Sequence, residues 1–126
     1  MSQEDKTLEN LLELDGIKYV IDEHLGLWVK FDVKKVEKNK DRPHGVKYSL
    51  TLHDRHNERL LGFDNAHAIE YAKKTNVAPK RTYDHWHRDR NDNGRQYHYE
   101  NAGKLLEDFW KEVEKALKKL EDSRHE

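Results

Sequence analysis

The sequence predicts an α+β fold, an antiparallel β-sheet with a long C-terminal helix packed on one face. Three observations carry that expectation. Residues 17 to 64 hold short runs in which apolar and polar side chains alternate, the period of half-buried strands. Each run has one apolar and one polar face, as in antiparallel sheets that pack on one side only. From Asn101 the apolar residues instead recur at three- and four-residue steps, the period of a helix with one greasy stripe.

At the start, Asp15-Gly16 between Leu11-Leu12-Glu13-Leu14 and Ile17 is a two-residue hairpin signal, because a type I′ turn needs positive backbone angles that Asp and Gly tolerate. A first strand ending at that turn is expected, with a helix through Leu8, Leu11 and Leu12 as the alternative. Strands follow where Ile17, Tyr19 and Ile21 alternate with Lys18, Val20 and Asp22, where Leu27, Val29, Phe31 and Val33 alternate with Trp28, Lys30, Asp32 and Lys34, and where Val46, Tyr48, Leu50 and Leu52 alternate with Lys47, Ser49, Thr51 and His53. The Pro- and Gly-containing stretch 39–45 interrupts the apolar period and is a loop. A turn at Arg55-His56-Asn57-Glu58 leads into a strand from Arg59 to Asp64. A short helix is expected from Ala66 to Lys74, capped by Asn65 and ending before Pro79. The long helix starts at Asn101 as N-cap and carries Leu106, Phe109, Trp110, Val113, Leu117 and Leu120 on one stripe, with Glu107-Lys111 and Glu114-Lys118 pairs on the other face. Phe109 and Trp110 are therefore core residues.

A chain of 126 residues implies one domain over residues 1–126, with ends expected to fray. Only 34% of residues are hydrophobic and 39% are charged, which borders on the disordered range, but three Trp, six Tyr and three Phe supply core anchors that disordered chains lack. The absence of cysteine excludes disulfides, thiolate catalysis and a cysteine-built zinc site, and fits a reducing cytoplasm. Apolar runs are too short for a membrane span, and the acidic Gln3-Glu4-Asp5 is no signal peptide. A net charge of -1 conceals a basic middle: residues 73 to 95 carry seven cations against three acids, a local field that attracts nucleic acid.

Chemistry concentrates in two clusters, Asp64-Asn65-Ala66-His67 and Asp84-His85-Trp86-His87. Imidazoles titrate near neutrality, so with carboxylates and cations beside them they can perform acid–base chemistry on a phosphodiester. If residues 84 to 88 are extended, His85 and His87 share one face and Trp86 anchors the other. One imidazole would take the proton of a 2′-hydroxyl and the other would protonate the departing 5′-oxygen, with Arg81 or Arg88 stabilising the phosphorane; no metal or other cofactor is required. The same residues leave other readings open. Asp64-Asn65 could simply cap the following turn, and Asp64, His67, His85 and His87 could converge as a nitrogen and oxygen metal site. His53 and His56 flank a hairpin and are expected to face solvent; His24, His44 and His125 look incidental.

The order of Gly62-Phe63-Asp64-Asn65-Ala66-His67, Asp84-His85-Trp86-His87, Tyr97 to Tyr99 and Leu105-Leu106-Glu107-Asp108-Phe109-Trp110 resembles the TumE family of small prokaryotic toxins, over roughly residues 10 to 120. The resemblance implies the toxin of a toxin–antitoxin pair, a helix-turn-helix antitoxin as partner, and action on RNA. It carries over onto Asp64, Asn65, His67, Asp84, His85 and His87. This chain departs from compact relatives in the sixteen residues from Ala68 to Tyr83, which replace a very short link. Such an insertion can still return the chain, since closure costs grow slowly with length, and can form a basic flap through Lys73, Lys74, Lys80 and Arg81.

The expectation is thus a toxin acting on RNA, a metal-independent ribonuclease ahead of two alternatives: a non-catalytic module that binds nucleic acid or an acidic partner, and a metal-dependent hydrolase. The candidate catalytic residues are Asp64, Asn65, His67, Asp84, His85, His87 and Arg88. Lys73, Lys74, Lys80 and Arg81 are the candidate RNA contacts. RNA target, cleavage specificity and homo-oligomer formation stay open at this level.

Overall fold

Alternating apolar side chains organise the sheet of this protein, whose computed structural model describes residues 5–40, 42–65, 69–70, 81–82, 84–92 and 94–124. In chain order the elements are α1 (Leu8–Leu12), β1 (Lys18–Asp22), β2 (Leu27–Lys35), β3 (Val46–His53), β4 (Arg59–Asp64), β5 (Ile69–Glu70), β6 (Arg81–Thr82), β7 (His85–His87), β8 (Arg95–Gln96) and α2 (Ala102–Arg124). Six strands form one antiparallel sheet in the order β1-β2-β3-β4-β7-β8, and β5 pairs with β6 separately.

Register explains the two faces. Phe31 stands opposite Leu50, Leu50 opposite Phe63 and Phe63 opposite Trp86, so these four side chains form one row on one face. Helix α2 covers that row: the Phe109 ring lies 5.7 Å from Phe31 and 6.1 Å from Phe63, both edge-on, and Leu105, Phe109 and Val113 are buried beside Tyr48 and Leu50. Truncating a ring such as Phe109 to Ala costs roughly 3–5 kcal/mol in a core of this kind. The predicted fold class, the strands from Leu27 to Asp64 and the helical stripe agree with this architecture. Lys111 pairs with Glu107 at 3.1 Å on the outer face, as the spacing implies.

The start of α2 is capped three times. Asn101 Oδ1 accepts the Lys104 N–H at 2.8 Å, the predicted N-cap, while Asp5 Oδ2 takes the Ala102 N–H and Thr7 Oγ1 the Gly103 N–H, each at 2.7 Å. A side chain at Gly103 would lie 3.0 Å from the Thr7 methyl, so the close approach of the two segments relies on that glycine.

Several local expectations are corrected. Residues before Asp15 form α1 rather than a strand, and Asp15-Gly16 does not close a hairpin. Instead Asp15 Oδ1 accepts the Val33 N–H at 2.9 Å and its other oxygen pairs with Lys34, which docks the chain onto β2. The helical spacing of Leu8, Leu11 and Leu12 prevailed because Leu11 reaches the core. At the edge strand β1 the alternation marks a face that is only partly covered: Ile17 and Ile21 pack half-buried against the core, Tyr19 is 46% exposed with its ring edge-on to Phe31, and Val20 on the opposite face is 67% exposed. The short helix from Ala66 to Lys74 is contradicted where it is described, since Ile69–Glu70 pairs as a strand with Arg81–Thr82; the rest of that segment lies outside the described residues. Its intended cap is occupied elsewhere, because the Asn65 side chain donates to Val46 O at 2.7 Å and accepts from the Tyr48 N–H at 2.8 Å. His53 is half-buried and stacked on Trp28 at 4.4 Å rather than facing solvent, and His44 stacks on Tyr99 at 4.0 Å.

The turn at residues 54–58 is as expected. Asp54 Oδ1 accepts the N–H groups of His56 and Glu58, and Asn57 takes a φ of 64°, a left-handed angle that Asn tolerates better than most residues. Among the described residues no helix is long and apolar enough to cross a membrane.

Candidate functional site

The site lies on the sheet face opposite α2. Because neighbours along a strand point to opposite sides, Phe63 and Trp86 facing the helix force Asp64, His85 and His87 to the other side. Trp86 stacks on Phe63 at 5.3 Å and fixes the segment, as the His-x-His pattern predicts. Asp64 stands directly opposite His85, and Gly62 opposite His87. One donor atom from each of Asp64, His85 and His87 lies within 4.8 Å of the others.

The three are also nearly buried, with exposures of 9%, 3% and 7%. Asp64 Oδ1 lies 3.3 Å from His85 Nε2, an arrangement that favours a proton on that nitrogen. His87 Nδ1 lies 2.8 Å from the carbonyl oxygen of Asp92. A carbonyl only accepts, so Nδ1 carries the proton and Nε2 of the neutral ring is left as the acceptor. Burial lowers the His87 pKa below the ordinary imidazole value; the Asp92 carbonyl opposes this, and the charges of Arg59 and His85 reinforce it. The two rings, 5.1 Å apart and edge to face, thus have different surroundings: one beside a carboxylate, the other biased to neutrality.

A short loop secures His87. Burial of the Asp92 carboxyl raises its pKa, but hydrogen bonds from the N–H groups of Arg88 and Gly94 and from the Arg95 guanidinium outweigh this and hold it at about 2. Asp92 stays ionised and grips the loop whose backbone oxygen orients the ring.

Other predicted residues stand apart. Asp84 is next to His85 in sequence but on the helix side: its Oδ1 accepts the buried Tyr48 phenol at 2.6 Å, and its backbone oxygen accepts the Tyr97 N–H at 2.9 Å. Burial, then the Asp84 charge, pushes the Tyr48 pKa well above its ordinary value, so the phenol remains a donor. Asn65 ties the end of β4 to β3 and so supports Asp64 from behind. Arg88 is exposed, with its guanidinium 3.8 Å from Asp89. His67, Lys73, Lys74 and Lys80 lie outside the described residues, as does the side chain of Arg81, whose backbone belongs to β6.

Arg59 at the site was missed by sequence reasoning. Arg59 lies near enough for its charge to lower the His87 pKa, and its Cδ sits 3.4 Å from where a side chain on Gly62 would begin. Alternation alone puts Arg59 on the helix side with Leu61 and Phe63. A register shift between Leu52 and His53 pairs Arg59 with His53 instead, and an extra residue in a strand reverses the face that follows.

Chemically the constellation can do two things. A neutral imidazole beside a second imidazole held by a carboxylate can pass a proton in and a proton out. Alternatively, two imidazoles and one carboxylate with converging donors could hold a divalent ion, with the Asp92 carbonyl orienting His87 from outside.

No curated protein and no solved structure matches the chain. The family model described as toxin TumE matches residues 26–117, which include β2 to β8 and most of α2. That span covers the sheet's site strands and the helix behind them, and the chain belongs to the TumE toxin family.

Proposed function

We propose that this toxin acts on RNA by metal-independent phosphodiester cleavage, with His87 as general base and His85 as general acid. Family membership makes an antitoxin its partner. The observation that carries the catalytic reading is the convergence of Asp64, His85 and His87 on one sheet face, with the His87 proton held on Nδ1 by Asp92.

In this mechanism His87 Nε2 takes the proton of a ribose 2′-hydroxyl. The 2′-oxygen attacks the adjacent phosphorus, the bond from phosphorus to the 5′-oxygen breaks, and protonated His85 gives its proton to that oxygen. The products are a 2′,3′-cyclic phosphate and a free 5′-hydroxyl. Asp64 stabilises the imidazolium of His85 before transfer. Asn65 and Asp84 hold strand ends in place, and neither needs to touch RNA. Exposures of only 3% and 7% mean that the surrounding chain must yield to admit a phosphodiester. The basic segment between β4 and β7 in sequence, with His67, Lys73, Lys74, Lys80 and Arg81, supplies further RNA contacts. The antitoxin is a helix-turn-helix protein that occupies the same basic surface.

The test is cleavage of a short RNA by purified protein, with the 2′-deoxy substrate as control. Cyclic phosphate ends from RNA and no cleavage of the deoxy analogue are expected. Cleavage of both, or 5′-phosphate products, overturns the mechanism.

A further inference from the structure

Resting on that reading of the site, the geometry points to Arg59 as the cation that holds the scissile phosphate, lying across Gly62 beside His87. Sequence reasoning assigned this task to Arg81 or Arg88, but the Arg88 guanidinium is exposed beside Asp89. Arg59 differs in each respect. The register shift in β4 brings it onto the site face opposite His53. Its Nε is buried with no hydrogen-bond partner among the described residues, a costly state for a guanidinium nitrogen unless a ligand completes it.

Gly62 makes the placement feasible. It is the direct cross-strand partner of His87, and a side chain there would meet the Thr51 methyl at 3.0 Å and Arg59 Cδ at 3.4 Å. Without one, the Arg59 stem runs low over the strand toward the imidazole. A guanidinium in that position would donate to a non-bridging phosphate oxygen through its planar fork. It would also stabilise the charge that develops on the phosphorane, where a fixed donor is worth about 10²–10³ in rate. The same positive charge keeps His87 neutral and ready to accept a proton.

Inorganic phosphate titrated into the full-length protein, followed by phosphorus NMR and by the ring shifts of His87, tests the anion site without requiring turnover. Phosphate should bind and move the His87 signals; Arg59→Gln should lose about tenfold or more in affinity, and Arg59→Lys should retain part of it. Gly62→Ala, which crowds Arg59 without removing it, should weaken phosphate too. Arg88→Gln should change nothing. In RNA cleavage under saturating substrate, Arg59→Gln should lower the rate about 10²-fold or more with thermal unfolding still cooperative. Phosphate bound as wild type in both Arg59→Gln and Gly62→Ala would overturn the assignment, as would loss in Arg88→Gln alone. Phosphate binding that depends on Arg59 in a protein that cleaves no RNA would preserve the anion site and sink the ribonuclease.

Discussion

Tyr48 and Asp84 meet phenol to carboxylate at 2.6 Å on the helix side of the sheet, directly behind the strand that presents His85 and His87. The contact is a brace between β3 and the chain entering β7. Tyr48→Phe leaves a half-buried carboxylate oxygen without this donor and should cost about 1–3 kcal/mol in denaturant unfolding. RNA cleavage per folded molecule should stay within a few-fold of wild type. A hundredfold rate loss at unchanged stability would instead place Asp84 in the chemistry.

Because His85 and His87 are nearly buried, glutamine is the better probe than alanine, leaving no large cavity. His85→Gln and His87→Gln should each lower single-turnover cleavage about 10²–10⁴-fold and abolish growth inhibition. The wild-type rate should rise with pH on a limb below 6.5, since burial lowers the His87 pKa from that value. A limb unchanged in His87→Gln would show that another group is the base.

Stability should follow the same histidine, together with His53, whose pKa is also lowered by burial. In both cases the unfolded chain binds the proton more readily than the folded one. The stabilising contribution is therefore present above about pH 6.5 and is lost as pH falls through the folded values. Thermal midpoints measured from pH 7.5 to 5 should fall, and the slope should be shallower in His87→Gln. An identical slope in that variant would remove His87 from the linkage.

Exhaustive chelation should leave cleavage intact. Activity lost with EDTA and restored by zinc or manganese would mean that Asp64, His85 and His87 coordinate a metal instead of exchanging protons.

Reversing Lys80 and Arg81 to Glu should weaken RNA binding and antitoxin capture alike, and the antitoxin association rate of the wild type should fall as salt rises. The same reversal at Lys118 and Lys119 should affect neither much. Antitoxin binding that survives the first pair and fails with the second would move the partner to α2.

Much of this architecture is legible in the chain because β2, β3 and α2 obey one period from end to end. Val29, Phe31 and Val33 are buried at every second position, and Leu105, Phe109 and Val113 at every fourth. The histidine pair was legible for the same reason. Alternation also separates Asp84 from His85, but grouping by sequence proximity obscured it. Arg59 was hidden by a different cause. A register shift leaves no mark in composition, and strict alternation points that side chain the wrong way. The start of the chain carried two competing signals, and burial of Leu11, a tertiary effect, decided between them.

The clasp of Asp5 and Thr7 on the first turn of α2 joins residues 97 and 96 positions apart. A polypeptide emerging from the ribosome can zip β2, β3 and β4 by local hairpins, but the face bearing Phe31, Leu50 and Phe63 stays open to water until the last helix arrives. Closure of the core therefore waits for α2, and a truncated translation product lacking α2 would present a sticky sheet rather than an armed toxin.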